Sequence, residues 1–482
     1  MRSTLLLLAV LAVPALAGPD LPDFGSPAVA AMSKDREAQI GRGVMVQLRN
    51  AGVVVDDPLL TEYIGWLGSQ LASHSSNNNG DFHFNFFFVN DNQINAFALP
   101  GGFVGVNSGL LLATDNENEL AGVLAHEVSH VTQRHMARSA YDSQRTSIAS
   151  LAAMLAALVL GAATDAGGEA MTGIVAASQG LTAQRQINFT RSNEFEADRV
   201  GMEVLSAAGF DPNGMATFFE ELGKRYGSTS EVVPAILQTH PVSSERTAEA
   251  RARARQLPKT EHVDSPAYAL AKARLQVLSA PTPEAAFALF RDKADSRDPG
   301  DRYGLALALM RVSLNDNAER IFRDLTAEYP TSIAFRIGEA ESLMASGSTE
   351  SALKFYAEAV RLFPRNVPLT TSYAEALISA GRPADAHQIL LDLLNNVAAT
   401  PEQLRLIARA ANAQGDIGNA YFYMSYYYLS IGNLPLAIGQ VRLALEMPNV
   451  NSVDRARYQA RMNELLEYLP PEQRTHAAVG GH

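Results

Sequence analysis

The chain has 482 residues, 47% of them hydrophobic and 19% charged, which describes a folded protein of two or three domains and not a disordered one. Its net charge of -12, with no Lys/Arg cluster to offset it, weighs against nucleic acid and anionic membrane surfaces as partners. With no cysteine, the chain has neither disulfides nor a lipidated cysteine.

The first seventeen residues carry one charge, Arg2, then an apolar run from Leu5 to Val13 and small residues at Ala15 and Ala17. This is the pattern of a secretory signal cut after Ala17, and the run is shorter than the ~20 residues that span a bilayer. Removal of Arg2 makes the remainder one unit more acidic. An exported, cysteine-free chain fits the bacterial periplasm. Amphipathic helices are predicted over residues 35–50 and 59–73, the second with Leu60, Tyr63, Ile64, Leu67 and Leu71 on one face. The period then changes: Phe82, Phe84, Phe86 and Phe88 alternate with His83, Asn85 and Phe87, which predicts a strand. Residues 95–106 read as two short strands around Pro100-Gly101-Gly102, giving a small antiparallel sheet. Its edge at Asn95, Ala96 and Phe97 can offer pairing to an extended polypeptide, the alternative being a purely structural hairpin.

Residues 117–138 are predicted as one helix carrying His126, Glu127 and His130. Four residues apart on a helix, His126 and His130 project from one face and can hold one metal ion. Glu127, about 100° around the helix from His126, is placed as a base and not as a ligand. His135, five residues beyond His130, is expected to point away from the metal face. Residues 148–163, opening on Ile148 and closing on Ala163, form an Ala/Leu-rich run too short for a confident membrane span. It is either a buried helix or a mobile flap over the cleft that touches a membrane or a hydrophobic client.

A catalytic zinc keeps three protein ligands and an open position for water, so two histidines are one ligand short. A second helix over residues 188–208 carries Glu194 and Asp198 one turn apart. Glu194 can be the third ligand, and Asp198 can accept the free ring N–H of a histidine and fix its tautomer. Glu196 lies on the wrong side of the helix for both roles. Helices over 213–226 and 243–256 flank a loop with His240-Pro241, and residues 257–260 mark a domain boundary.

Beyond the boundary the sequence repeats. Ala306, Ala340, Ala374 and Ala408 recur every 34 residues, as do Ala318, Ala352, Ala386 and Ala420, and Tyr329-Pro330 and Phe363-Pro364 keep the same step. Such a helix-turn-helix unit resembles the tetratricopeptide repeat, with four good repeats and degenerate helices capping both ends.

The motifs Asn95-Ala96-Phe97-Ala98-x-Pro100-Gly101-Gly102, His126-Glu127-x-x-His130, Glu194-x-x-x-Asp198 and His240-Pro241 with Arg246 occur in this order. Together they resemble the HtpX/CAAX-prenyl-protease type of zinc metallopeptidase. The resemblance implies a mainly α fold: a zincin-like metallopeptidase domain with a small β-sheet, then an α-helical tetratricopeptide-repeat solenoid. The expected division is a signal at 1–17, the metallopeptidase at 18–257, the repeats at 265–469 and a flexible tail at 470–482. His126, His130 and Glu194 are implied as ligands of one Zn2+, Glu127 as general base and Asp198 as the group behind a ligand. His240 is either a fourth ligand that keeps the resting enzyme shut or a donor to the oxyanion. Periplasmic members that also carry repeats imply a quality-control endopeptidase and chaperone. The clients this implies are unfolded or stalled outer-membrane proteins, with the repeats expected to dock on the outer-membrane beta-barrel assembly machinery. Two other readings stay open: an adaptor whose repeats do the main work over a latched metal site, and a metal hydrolase of small substrates.

Overall fold

The structure, a computed structural model, describes residues 32–75, 82–140, 155–157, 191–226, 234–448 and 450–469. The expected signal at 1–17 and the tail at 470–482 lie outside these residues, as does most of 148–163. Leu155 and Ala156, which are described, are buried in the same apolar cluster as Ile40 and Met45.

Helix α1 (Lys34–Asn50) starts at Ser33, whose hydroxyl accepts from the Arg36 N–H, and α2 (Pro58–Ser73) starts at Asp57, which accepts from Leu60 N–H. Both caps satisfy amides that have no partner inside the helix. Three strands follow, β1 (Asn85–Val89), β2 (Ala96–Leu99) and β3 (Phe103–Asn107), in the spatial order β1-β3-β2. The β2–β3 pair is the antiparallel hairpin the sequence predicts, turning at Gly101 and Gly102 with φ of 80° and 88°, values that suit glycine. The all-antiparallel sheet is not found: β1 runs parallel to β3, with Phe87 opposite Gly105. The chain crosses to the far edge to make β2, so β3 returns between the two in the direction of β1. Both faces of β1 are covered, Phe86 and Phe88 by the main core with Leu67 and Leu124, and Phe87 and Val89 by the cluster on α1.

After α3 (Ser108–Ala113) comes the central helix α4 (Glu117–Thr132), capped by Asn116 and packed against α2, β2, α6 (Arg191–Ala207) and α7 (Asn213–Tyr226). The single helix expected over 117–138 is broken. Arg134 takes a left-handed φ of 54°, and a separate helix α5 (His135–Ala140) begins after it. The Arg134 guanidinium donates to Glu37 on α1 at 2.7 Å and to the Met32 carbonyl, which holds this turn. A short α8 (Ala235–Thr239) and α9 (Ser244–Ala254) complete this half.

The second half opens with α10 (Pro266–Ser279) and α11 (Pro283–Phe290). Four helix pairs then repeat the 34-residue step: α12 (Pro299–Arg311) with α13 (Asn315–Glu328), α14 (Ile333–Ala345) with α15 (Thr349–Leu362), α16 (Val367–Ser379) with α17 (Pro383–Asn396), and α18 (Pro401–Ala413) with α19 (Ile417–Ser430). Helices α20 (Leu434–Glu446) and α21 (Ser452–Glu467) cap the array. All eight periodic alanines are buried where the paired helices cross. The turn inside each pair repeats too, with positive φ at Ser313, Gly347, Gly381 and Gly415.

The two halves are bolted together. Helix α2 packs on α10 and α16, Arg274 pairs with Asp57 at 2.7 Å, and Arg49 on α1 donates to Glu402 at 2.5 Å. The connecting segment is tied to the start of the central helix: Ser265 Oγ donates to Glu117 Oε1 at 2.7 Å, and Glu117 N–H donates to Asp264 at 2.9 Å. Among the described residues no helix is long and apolar enough to cross a membrane.

Candidate metal centre

Helices α4 and α6 cross at His126, and Gly201 allows it, since a Cβ there would lie 3.1 Å from the backbone of Ala125 and His126. The crossing brings Glu194 and Asp198 against the two histidines, and the turn after α8 adds His240. Ligand atoms of His126, His130, Glu194 and His240 all lie within 4.8 Å of one another, and all four residues are buried. His126 Nε2 is 2.9 Å from His130 Nε2 and 3.3 Å from His240 Nδ1, and both Glu194 oxygens are 3.1 Å from His240 Nδ1.

Asp198 lies behind this group, where the sequence puts it. Its Oδ1 accepts from His126 Nδ1 at 2.9 Å, which assigns the ring proton to Nδ1 and leaves Nε2 bare toward the centre. Arg246 is the residue whose importance sequence reasoning understated. Only 2% exposed, it donates to Asp198 through Nε at 2.7 Å and Nη2 at 2.8 Å, to Glu194 at 2.9 Å and to the Pro241 carbonyl at 2.8 Å. One guanidinium thereby orients the Glu194 carboxylate, the Asp198 carboxylate behind His126 and the loop that carries His240. The sequence signals it only as the arginine quoted with His240-Pro241, and Ser243, which caps α9 by accepting from Arg246 N–H, fixes where that helix starts.

Glu127 is fully buried, and both its carboxylate oxygens lack a hydrogen-bond partner. His240 Nε2 is 3.6 Å from Glu127 Oε1. His135 does not point away. It is fully buried, its Nδ1 lies 2.8 Å from His130 Nδ1, and its Nε2 faces Glu196 Oε2 at 3.3 Å. The break at Arg134 re-aims it, which helical spacing alone does not foresee. Glu196 reaches neither His126 nor His130, as expected, and pairs with His135 and Arg138.

The electrostatics ask for a cation. Glu127, Glu194 and Asp198 are three buried carboxylates at the centre, and one buried guanidinium, Arg246, pairs with Asp198 and Glu194. Burial alone lowers the His126 imidazole, but hydrogen bonds to Asp198 and Glu194 outweigh it and raise it to about 10. Burial would raise Glu194, yet His240 and His126 hold it far below the usual carboxylate range, and Arg246 and His126 likewise depress Asp198 against its burial. Burial and the neighbouring His126 keep His130 well below its ordinary value, and burial takes His135 down to about 4. Three imidazoles and a carboxylate converging in one buried pocket are the donor set of a divalent metal, and the residues present fit one.

Comparison with known proteins agrees. The model of peptidase family M48 matches residues 58–254, and a tetratricopeptide-repeat model matches residues 343–410. The chain is 35% identical over 454 residues to the beta-barrel assembly-enhancing protease of Escherichia coli K12, covering 93% of this chain and 91% of that one. The chain belongs to peptidase family M48. It is also 33% identical over 452 residues to the beta-barrel assembly-enhancing protease of Yersinia pestis, covering 92% of this chain and 91% of that one. The metalloprotease LoiP of Escherichia coli K12 is 30% identical over 41% of this chain and 72% of its own length. As an M48 metallopeptidase the chain holds a candidate metal-binding group of four residues, His126, His130, Glu194 and His240.

Proposed function

We propose that this M48 metallopeptidase is a periplasmic zinc endopeptidase that cleaves unfolded or stalled outer-membrane proteins, with His126, His130 and Glu194 as zinc ligands and Glu127 as general base. The observation that carries the reading is the buried donor group beside a glutamate with two unpartnered oxygens. Three nitrogens and one carboxylate suit zinc among the common divalent ions. Zinc supplies a Lewis acid for the scissile carbonyl and lowers the pKa of a coordinated water to about 7. Glu127 takes the proton of the attacking water and delivers it to the leaving amine. Asp198 holds the His126 ring, and Arg246 holds Asp198.

Substrate enters as an extended strand along β2 at Asn95, Ala96 and Phe97. β2 is one of the sheet's two edge strands, and Asn95 just before it is buried with an Oδ1 that has no hydrogen-bond partner among the described residues. The repeats, which present a continuous curved surface, bring the enzyme to its clients and to the outer-membrane beta-barrel assembly machinery. The periplasmic placement rests on the expected signal at 1–17, and the names of the relatives in Escherichia coli and Yersinia pestis support the client class. The test is metal analysis of the purified chain together with cleavage of an unfolded outer-membrane protein by wild type and Glu127→Gln. The variant is expected to lose 10²–10⁴-fold in rate, and equal cleavage by both removes the assignment.

One observation favours a latched resting state, in which the chain acts mainly as a chaperone or adaptor. His240 Nδ1 sits as close to Glu194 and His126 as a fourth ligand does, and a fourth protein ligand takes the position that substrate or water needs. His240→Ala is then expected to raise basal proteolysis, and an unchanged or lower rate rejects the latch in favour of the oxyanion role.

A further inference from the structure

We propose that His135 and Glu196 are positioning residues of the metal centre: a relay from His130 Nδ1 through the His135 ring to the Glu196 carboxylate holds His130 with Nε2 bare and aimed at the metal. The inference rests on the zinc-peptidase reading above and extends it to residues outside the family motifs quoted from the sequence.

The relay depends on the break between α4 and α5. In an unbroken helix His135 would stand about 140° around the axis from His130 and face another direction. The left-handed Arg134, tied to the buried Glu37 and to Met32 O, folds the chain so that the two imidazoles meet edge to face, centroids 4.8 Å apart with 76° between planes. An arginine in this backbone region carries a steric cost that glycine would avoid, so the ion pair to α1 is what holds the turn.

The direction of the protons follows from the contacts. Two Nδ1 atoms 2.8 Å apart need one proton between them. His130 Nε2 faces His126 Nε2 at 2.9 Å and Glu194 Oε1 at 3.4 Å, the side on which the metal would sit. A ligand nitrogen must be bare, so the His130 proton is on Nδ1 and His135 Nδ1 accepts it. The His135 proton is then on Nε2, which faces Glu196 Oε2 at 3.3 Å, and Arg138 fixes that carboxylate from the other side at 3.0 Å. This tautomer chain satisfies the Nδ1–Nδ1 contact and turns the His135 N–H toward Glu196, with the two bare Nε2 atoms of His126 and His130 left for the metal.

The two histidines of the motif are therefore braced differently. His126 is held by the Asp198 carboxylate, which Arg246 holds in turn, and His130 by a second imidazole that is wholly out of water. Outer partners of metal-bound histidines set the tautomer and raise the donor strength of the ring, and their loss typically costs 10–100-fold in metal affinity.

The experiment measures zinc affinity of the full chain by competition with a chelator, and the His130 tautomer in the metal-free protein by nitrogen NMR of labelled histidine. His135→Phe keeps a ring in the cavity and removes the acceptor. It is expected to weaken zinc 10–100-fold and to shift His130 away from the Nδ1–H form. His135→Asn, whose Oδ1 can replace Nδ1 as acceptor, is expected to recover most of both, and Glu196→Gln is expected to lose less than His135→Phe. Wild-type zinc affinity and tautomer in His135→Phe overturn the relay, and so does a His135→Asn variant as impaired as the phenylalanine. A wild-type chain that takes up no zinc overturns the proposed function, while the tautomer still decides the relay.

Discussion

The metal centre and the repeat array are built from similar helices but depend on the chain in opposite ways. In the metal centre, residues from 126 to 246 on four separate elements converge on one point, and Arg246 alone touches Asp198, Glu194 and the Pro241 carbonyl. In the array each helix pair contacts chiefly its neighbours, with the same buried alanines at every crossing. A defect in the first is expected to travel through the whole site, and a defect in the second to stay within a repeat or two.

Arg246→Met tests the first half of that contrast and should have the largest effect. It leaves Asp198 and Glu194 buried without their cation, and breaking a buried pair from one side costs about 3–5 kcal/mol. Denaturant unfolding of the metal-free protein is expected to show the loss in the metallopeptidase half with the repeats still helical. A variant as stable as wild type would mean the carboxylates are not held as described. Ala374→Leu tests the second half. This side chain is fully buried between helices, and overpacking such a position costs about 1–3 kcal/mol. Metal content should be unchanged, so a variant that lost its metal would show the array to be less modular than its contacts suggest.

The smallest expected effect lies where the two regions meet. Burial and the adjacent Glu402 raise the Asp56 carboxyl to about 6, outweighing Arg49. A carboxyl raised on folding stabilises fully below its unfolded value near 3.8, and that contribution is lost as pH rises through about 6. Asp56→Asn should therefore raise the midpoint of thermal unfolding at pH 7 and leave it nearly unchanged at pH 4, by a modest amount because the side chain is partly solvated. A gain of the same size at both pH values would remove Asp56 from the interface electrostatics.

Much of this was legible in the residues because it follows from backbone period. His126 with His130, and Glu194 with Asp198, are each one helical turn apart, so their shared faces follow once a helix is assumed. The 34-residue step placed the buried alanines and the helix pairs, and Pro100-Gly101-Gly102 placed the hairpin turn. Contacts between elements were not legible in that way. Alternation along residues 82–88 marks a strand but carries no information about its partner's direction, and β1 proved parallel to β3. Arg246 stands in an ordinary helix start, and its partners lie some fifty residues away in sequence.

His135 shows the division most sharply. The sequence by itself determined that His130 shares a helix face with His126, because side-chain direction within a helix is set by rotation per residue. Only the tertiary structure decided that His135 faces His130, because the helix ends between them at Arg134, and that turn is held by Glu37, almost a hundred residues earlier in the chain.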